Sequence, residues 1–112
     1  MTGAVARRLD AIHEKGALSF AELAELLQTS PETVSRWRQG HRDPRPASEK
    51  ALLELDFFID QLSELYDPRE ARLFLFSPQK LLNGQTPATL IAQGRMDEVH
   101  RLVSQIRDAV YL

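Results

Sequence analysis

Apolar residues recur along this chain at steps of three and four, interrupted by proline and glycine, and no stretch alternates in twos. That period lines apolar side chains along one stripe of an α-helix, so the sequence predicts an all-α fold without strands. A first helix is predicted over about 4–15, with Val5, Leu9 and Ile12 on one face. A second, over about 20–28, buries Leu23, Ala24 and Leu27, and a third, over about 31–39, buries Val34 and Trp37. A fourth runs over about 47–66, where Leu52, Leu55, Ile59, Leu62 and Tyr66 form a seam of the coiled-coil kind. The seam is either the spine of the monomer core or partly a homodimer contact. Phe57 lies off it beside Phe58, so at least one of the two faces another surface. A fifth helix is predicted over about 68–76, then a short turn over about 78–82 ending at Asn83 and Gly84. A sixth covers about 87–93, and a seventh about 95–110 with Met96, Val99, Val103, Ile106 and Val110 in one stripe.

The punctuation agrees with this division. Ser30-Pro31, Asp67-Pro68, Ser77-Pro78 and Thr86-Pro87 each pair an N-cap residue with a proline suited to the first helical position. Ser19 with Glu22, and Asp67 with Glu70, have capping-box spacing. Gly16, Gly40 and Gly94 each follow an amphipathic stretch, where a left-handed residue would end a helix.

Composition narrows the class. The 112 residues suffice for one compact domain or two tightly joined small ones, and 43% hydrophobic with 27% charged residues is ordinary for a globular chain. No cysteine is present, which removes disulfides and thiolate zinc sites. The longest apolar runs, 73–76 and 109–112, are four residues each, too short to span a bilayer. The opening MTGAVARRLD lacks the apolar core of a signal peptide. The expectation is a cytoplasmic protein without membrane attachment. The net charge of −2 does not suggest nucleic acid, but its distribution is uneven. Residues 36–50 hold five basic side chains against two acidic ones, a balance of +3, whereas residues 51–67 hold five acidic and no basic ones. A basic stripe before an acidic helix suggests two faces with different partners; the alternative is a solvated helix surface.

The second and third helices are separated by a very short turn, as a helix-turn-helix requires. Such a unit needs a small residue where the helices cross, which Ala24 supplies, and inner apolar residues on the second helix, which Val34 and Trp37 supply. The spacing of Ala24, Gln28 and Val34 resembles that of the Xre and Cro/repressor regulators, with Gln28 standing at the turn where glycine is usual. The candidate DNA-binding residues are Glu32, Thr33, Ser35, Arg36, Arg38 and Gln39 on the third helix, followed by Arg42 and Arg45. Side chains at the start of a recognition helix meet base edges, and arginines further on meet phosphates. Glu32 would repel phosphate, but a carboxylate also accepts from a cytosine amino group. A chain this small makes few contacts, so useful affinity calls for a homodimer on two half-sites.

Residues 69–112 carry a second ordered series: Phe74 and Leu75, Pro78, Leu81, Gly84, Pro87, Leu90, Gly94, Val99, Leu102, Ile106, then Val110 and Tyr111. The series resembles the ParS-type toxin-binding domain of Xre–ParS antitoxins, also called MbcA-like antitoxins, with Phe74 where tryptophan is common and Ala109 where glycine is common. With the helix-turn-helix in front, the resemblance covers nearly the whole chain. It implies an antitoxin that binds a RES-domain toxin degrading NAD, blocks access to its active site, and represses its own operon. Independently of family, Val110, Tyr111 and Leu112 form an apolar end that either packs on its own domain or lies against a partner. The partner alternative gives a toxin-binding set of Arg95, Met96, Val99, Arg107, Val110, Tyr111 and Leu112, since tyrosine and arginine are favoured at interfaces.

No catalytic constellation emerges. His13, His41 and His100 are the only histidines; none has a second at metal-ligand spacing, and Glu98 and His100 do not share a helix face. No serine sits in a nucleophile elbow and no glycine-rich loop suits phosphate. The sequence therefore predicts a non-enzyme without cofactor or metal. The predicted organisation is a helix-turn-helix bundle over 1–50, a connecting helix over 51–67 and a toxin-binding domain over 68–112. The expected partners are a RES-domain toxin and operator DNA, with the chain a homodimer inside a larger complex. The alternative is a dimeric helix-turn-helix repressor without a toxin partner.

Overall fold

The computed structural model describes residues 3–111. They form seven α-helices and one short 3-10 turn, and among the described residues there is no strand. The helices are α1 (Ala4–Lys15), α2 (Phe20–Leu26), α3 (Pro31–Gln39), α4 (Pro46–Ser63), α5 (Pro68–Phe76), α6 (Pro87–Ala92) and α7 (Met96–Val110), with the 3-10 turn at Lys80–Leu82 between α5 and α6. None of these helices is long and apolar enough to cross a membrane.

Local chemistry sets most of the helix starts. Ser19 and Glu22 cap α2 reciprocally, Glu22 N–H donating to Ser19 Oγ and Ser19 N–H to Glu22 Oε1. Asp67 and Glu70 repeat the device at α5. Ser30 accepts from Thr33 N–H at the start of α3, and Thr86 from Thr89 N–H at the start of α6. Pro31, Pro68 and Pro87 follow these caps, where a missing N–H costs nothing. The pair Ser77-Pro78 behaves differently from expectation. Ser77 closes α5, donating its hydroxyl to the Leu73 carbonyl, and the 3-10 turn begins after Gln79.

The glycine stops also divide. Gly40 and Gly94 take left-handed φ values of 75° and 77° as expected. Gly16 does not: its φ is −99°, and Ala17 turns left-handed instead at 51°. Space is tight at Gly16, where a Cβ would lie 3.1 Å from the Leu18 side chain and 3.2 Å from the Ile12 carbonyl.

α1 lies along α4, the most extensive helix pairing in the fold, while α2 meets α3 and α6, and α6 meets α5 and α7. One cluster of buried side chains runs through both halves of the chain, from Leu9 on α1 to Val103 on α7. On α1 the inward stripe is Ala6, Leu9 and Ile12, with Val5 at its margin. α2 ends two residues sooner than its periodicity suggests, and Leu26 joins Leu23, Ala24 and Leu27 inside. The α4 seam is buried within the chain at Leu52, Leu55, Ile59 and Leu62, with Tyr66 half-buried beyond the helix end. Phe58 is fully buried, and Phe57 is 60% exposed.

Candidate functional site

Two surfaces carry the residues singled out by sequence. The first is α3 with the loop that follows. Residues 27–30 connect α2 to α3, and Gln28 holds the left-handed conformation of this turn at φ 56°. Val34 and Trp37 face inward, so Glu32, Ser35, Arg36 and Gln39 are left exposed on the opposite side. Thr33 is half-buried, its hydroxyl 2.9 Å from that of Ser30. Arg38 departs from the expected outward set. Its Nε lies 3.3 Å from Asp10 Oδ1 and its guanidinium lies 3.8 Å over the Phe20 ring, so it fastens α3 to α1 and α2. Arg42 and Arg45 are exposed past the end of α3 and border a cleft against α4.

The second surface is α7. Here the structure corrects two expectations. Met96 and Val99 are 7% and 0% exposed, because they sit on the inward stripe and pack into the core shared with α6. Both side chains anchor α7 in the core. Arg95 is exposed, but its Nε and Nη2 reach the Glu98 carboxylate at 2.6 and 2.9 Å and its Nη1 reaches Gln93 at 3.0 Å. Hydrogen bonding to Arg95 holds the Glu98 carboxyl below its ordinary range. Arg107 is half-buried, with Nη2 3.9 Å from a Glu64 carboxylate oxygen and no hydrogen-bond partner. One turn later the stripe leaves the core altogether: Val110 is 61% exposed and Tyr111 71%. The two do not pack on their own chain. Leu112 lies outside the described residues.

Sequence reasoning missed other exposed apolar residues, notably Leu73 and Leu81. Leu81 borders a small cleft beside α7 with Glu98, Arg101 and Gln105. The signal for Leu73 was present, since four apolar residues in a row on one helix cannot all face a single core. Phe74 and Leu75 turn inward and leave Leu73 and Phe76 outside.

A bidentate ion pair joins α5 to α2. Arg72 Nη1 and Nη2 donate to Glu22 Oε1 and Oε2 at 2.7 and 2.8 Å, and Nη1 also donates to the Ala17 carbonyl at 3.0 Å. Hydrogen bonding to Arg72 outweighs the desolvation of the carboxyl and lowers the pKa of Glu22 to about 2. Among the described residues no group of three or more histidine, cysteine or acidic side chains is arranged to hold a metal ion.

Comparison with known proteins gives a consistent picture. No protein-family model matches the chain. It is 30% identical over 104 residues to a probable mycobacterial cidal antitoxin of Mycobacterium tuberculosis, covering 93% of this chain and 88% of the relative. It is 29% identical over 99 residues, 88% of each chain, to the mycobacterial cidal antitoxin MbcA of M. tuberculosis and of Mycobacterium bovis. Among solved structures, a chain of the M. tuberculosis MbcT–MbcA toxin–antitoxin complex superimposes with a TM-score of 0.83 at 27% identity, over 98% of this chain and 99% of that one.

Proposed function

This chain belongs to the mycobacterial cidal antitoxin family, and on that premise we propose that it binds and sterically inhibits an NAD-degrading RES-domain toxin and represses its own operon. The observation that carries the toxin reading is the exposed apolar pair Val110 and Tyr111 at the end of α7. Buried residues anchor the first half of that helix, so its last turn carries Val110 and Tyr111 out into solvent, with the half-buried Arg107 one turn before them. Tyrosine and arginine bury large area while keeping a hydrogen-bonding end, which suits the centre of an interface. In this mechanism the α7 end lies over the entrance to the toxin's active site and excludes substrate. Met96 and Val99 act only by holding α7, and Arg95 borders the contact.

Deleting residues 109–112 tests the assignment. Inhibition of the cognate toxin should be lost while the melting temperature stays unchanged, because the side chains of Val110 and Tyr111 are mostly in solvent. Inhibition that survives the deletion would move the interface elsewhere, with the surface around Leu73 and Leu81 next in line.

The repressor part rests on the outward face of α3. Glu32, Ser35, Arg36 and Gln39 would meet base edges there, with Thr33 at its margin, and Arg42 and Arg45 would meet phosphates. Arg38 would position α3 and leave phosphate contact to its neighbours. A homodimer would set two copies of α3 on adjacent half-sites. Arg36→Ala should weaken duplex binding and reduce the dependence of log affinity on log salt by about one if it contacts a phosphate. Unchanged affinity across a salt titration would remove α3 from the interface. The same polar face also favours a second reading, a repressor with no toxin partner. Affinity purification from the native host decides between them, according to whether a small RES-domain protein is recovered.

A further inference from the structure

The cleft between the end of α3 and the start of α4 is lined almost wholly by hydrogen-bond donors. It has a volume of about 240 Å3. Thr29, Thr33, Ser48, Arg42 and Arg45 line its wall, all with side chains that can donate hydrogen bonds. Asp43, the one carboxylate lining it, is exposed and outnumbered by the two arginines. The start of α4 adds to the same polarity. This 18-residue helix has no side-chain cap at Arg45, so the backbone N–H groups of Ala47 and Ser48 have no partner within the helix, and Glu49 is the one carboxylate in its first turn.

An independent observation points to a ligand. Trp37 lines the same cleft, and although its side chain is 4% exposed, its Nε1–H is buried without a hydrogen-bond partner. An indole nitrogen is a donor only, and buried donors are paired in the great majority of proteins. We propose that this cleft seats one phosphodiester group of a DNA backbone, gripped by Arg42 and Arg45 and hydrogen-bonded by Ser48, Thr29 and the Trp37 indole N–H. The inference rests on the DNA-binding reading and deepens it: the side chain that anchors α3 in the core also donates to the backbone that α3 reads. The N–H is closed off in the free chain, so pairing it requires the wall of the cleft to shift as the phosphate enters. Free inorganic phosphate offers the same oxyanion, and the test separates the two sources.

Trp37 is the only tryptophan, so the emission of the whole chain reports this one site. The full chain is titrated at low salt with a labelled mixed-sequence duplex, and separately with inorganic phosphate, following duplex anisotropy and tryptophan emission together. Duplex binding should shift the emission, and inorganic phosphate at the same concentration should not. Trp37→Phe, which keeps an aromatic ring in the core, and Ser48→Ala should each weaken duplex binding by about ten- to a hundredfold, the effect of losing one hydrogen bond to a charged group. Neither removes a charge, so the salt dependence should stay as in the parent, whereas Arg45→Ala should reduce it by about one. If Trp37→Phe fails to fold, Ser48→Ala and the parent's emission carry the test. A duplex that binds with no emission change, and with Ser48→Ala unaltered, overturns the phosphate seat and leaves the DNA reading standing. An emission response to inorganic phosphate with no duplex binding overturns the DNA source. No response to either overturns both.

Discussion

The Glu22–Arg72 pair is positioned to couple the two halves of the chain, and its strength is measurable. The two residues are 50 positions apart and join α2 to α5 through two short, parallel hydrogen bonds. One pKa unit corresponds to about 1.4 kcal/mol, so lowering Glu22 from its ordinary 4.5 to about 2 would represent roughly 3 kcal/mol without solvent screening. Arg72 is 44% exposed, and screening reduces the expected contribution to about 1 kcal/mol, at the upper end for a surface pair because the geometry is bidentate. The sign follows from the depressed value. Stability is fully present above about 4.5, where the unfolded carboxyl is ionised, and is lost as pH falls toward about 2. The perturbation is a double-mutant cycle of Glu22→Gln and Arg72→Met. Glutamine keeps the oxygen that caps Ser19, so the capping box survives and the ion pair alone is removed. Urea unfolding followed by helical ellipticity should give a coupling of about 1 kcal/mol near pH 7. The stability gap between the parent and Glu22→Gln should shrink by more than half by about pH 3. A gap independent of pH, or a coupling below about 0.3 kcal/mol, would refute the claim that this pair ties the halves together.

Adjacent phenylalanines on α4 should respond in opposite ways. Phe58→Ala removes a fully buried ring packed edge-on against His100, and should cost about 3–5 kcal/mol in chemical denaturation. Phe57→Ala, at a 60% exposed position, should stay within about 0.5 kcal/mol, and equal losses would contradict the orientation of α4. At the α2–α3 turn, Gln28→Gly should raise stability by up to about 1 kcal/mol, because glycine adopts the left-handed φ without strain. Gln28→Val should lower the melting temperature there, since a β-branched residue is poorly tolerated at positive φ; an unchanged value would place the turn in another conformation.

The relation between sequence and structure differs by scale. Caps at Ser19, Ser30, Asp67 and Thr86 were legible because each joins groups three residues apart, and that geometry is complete once a single helical turn forms. The inward faces of α3 and α4 were legible because a stripe of period 3.6 must be covered by something. What covers a stripe, and where the cover ends, was not. α7 carries one apolar stripe, yet Met96 and Val99 are core while Val110 and Tyr111 stand in solvent, because the packing of neighbouring helices gives out before the last turn. Arg38 looked outward from its own helix, and only the arrival of Asp10 and Phe20 from α1 and α2 turned it inward. The same holds for the Glu22–Arg72 bridge and for the donor-lined cleft that gathers Thr29, Trp37, Arg45 and Ser48 from three parts of the chain. The sequence by itself determined the helices, most of their ends and the faces that must be buried, since those interactions act within a turn or two. The tertiary structure decided which charged and apolar groups remain free to bind, since that depends on how helices distant in sequence cover one another.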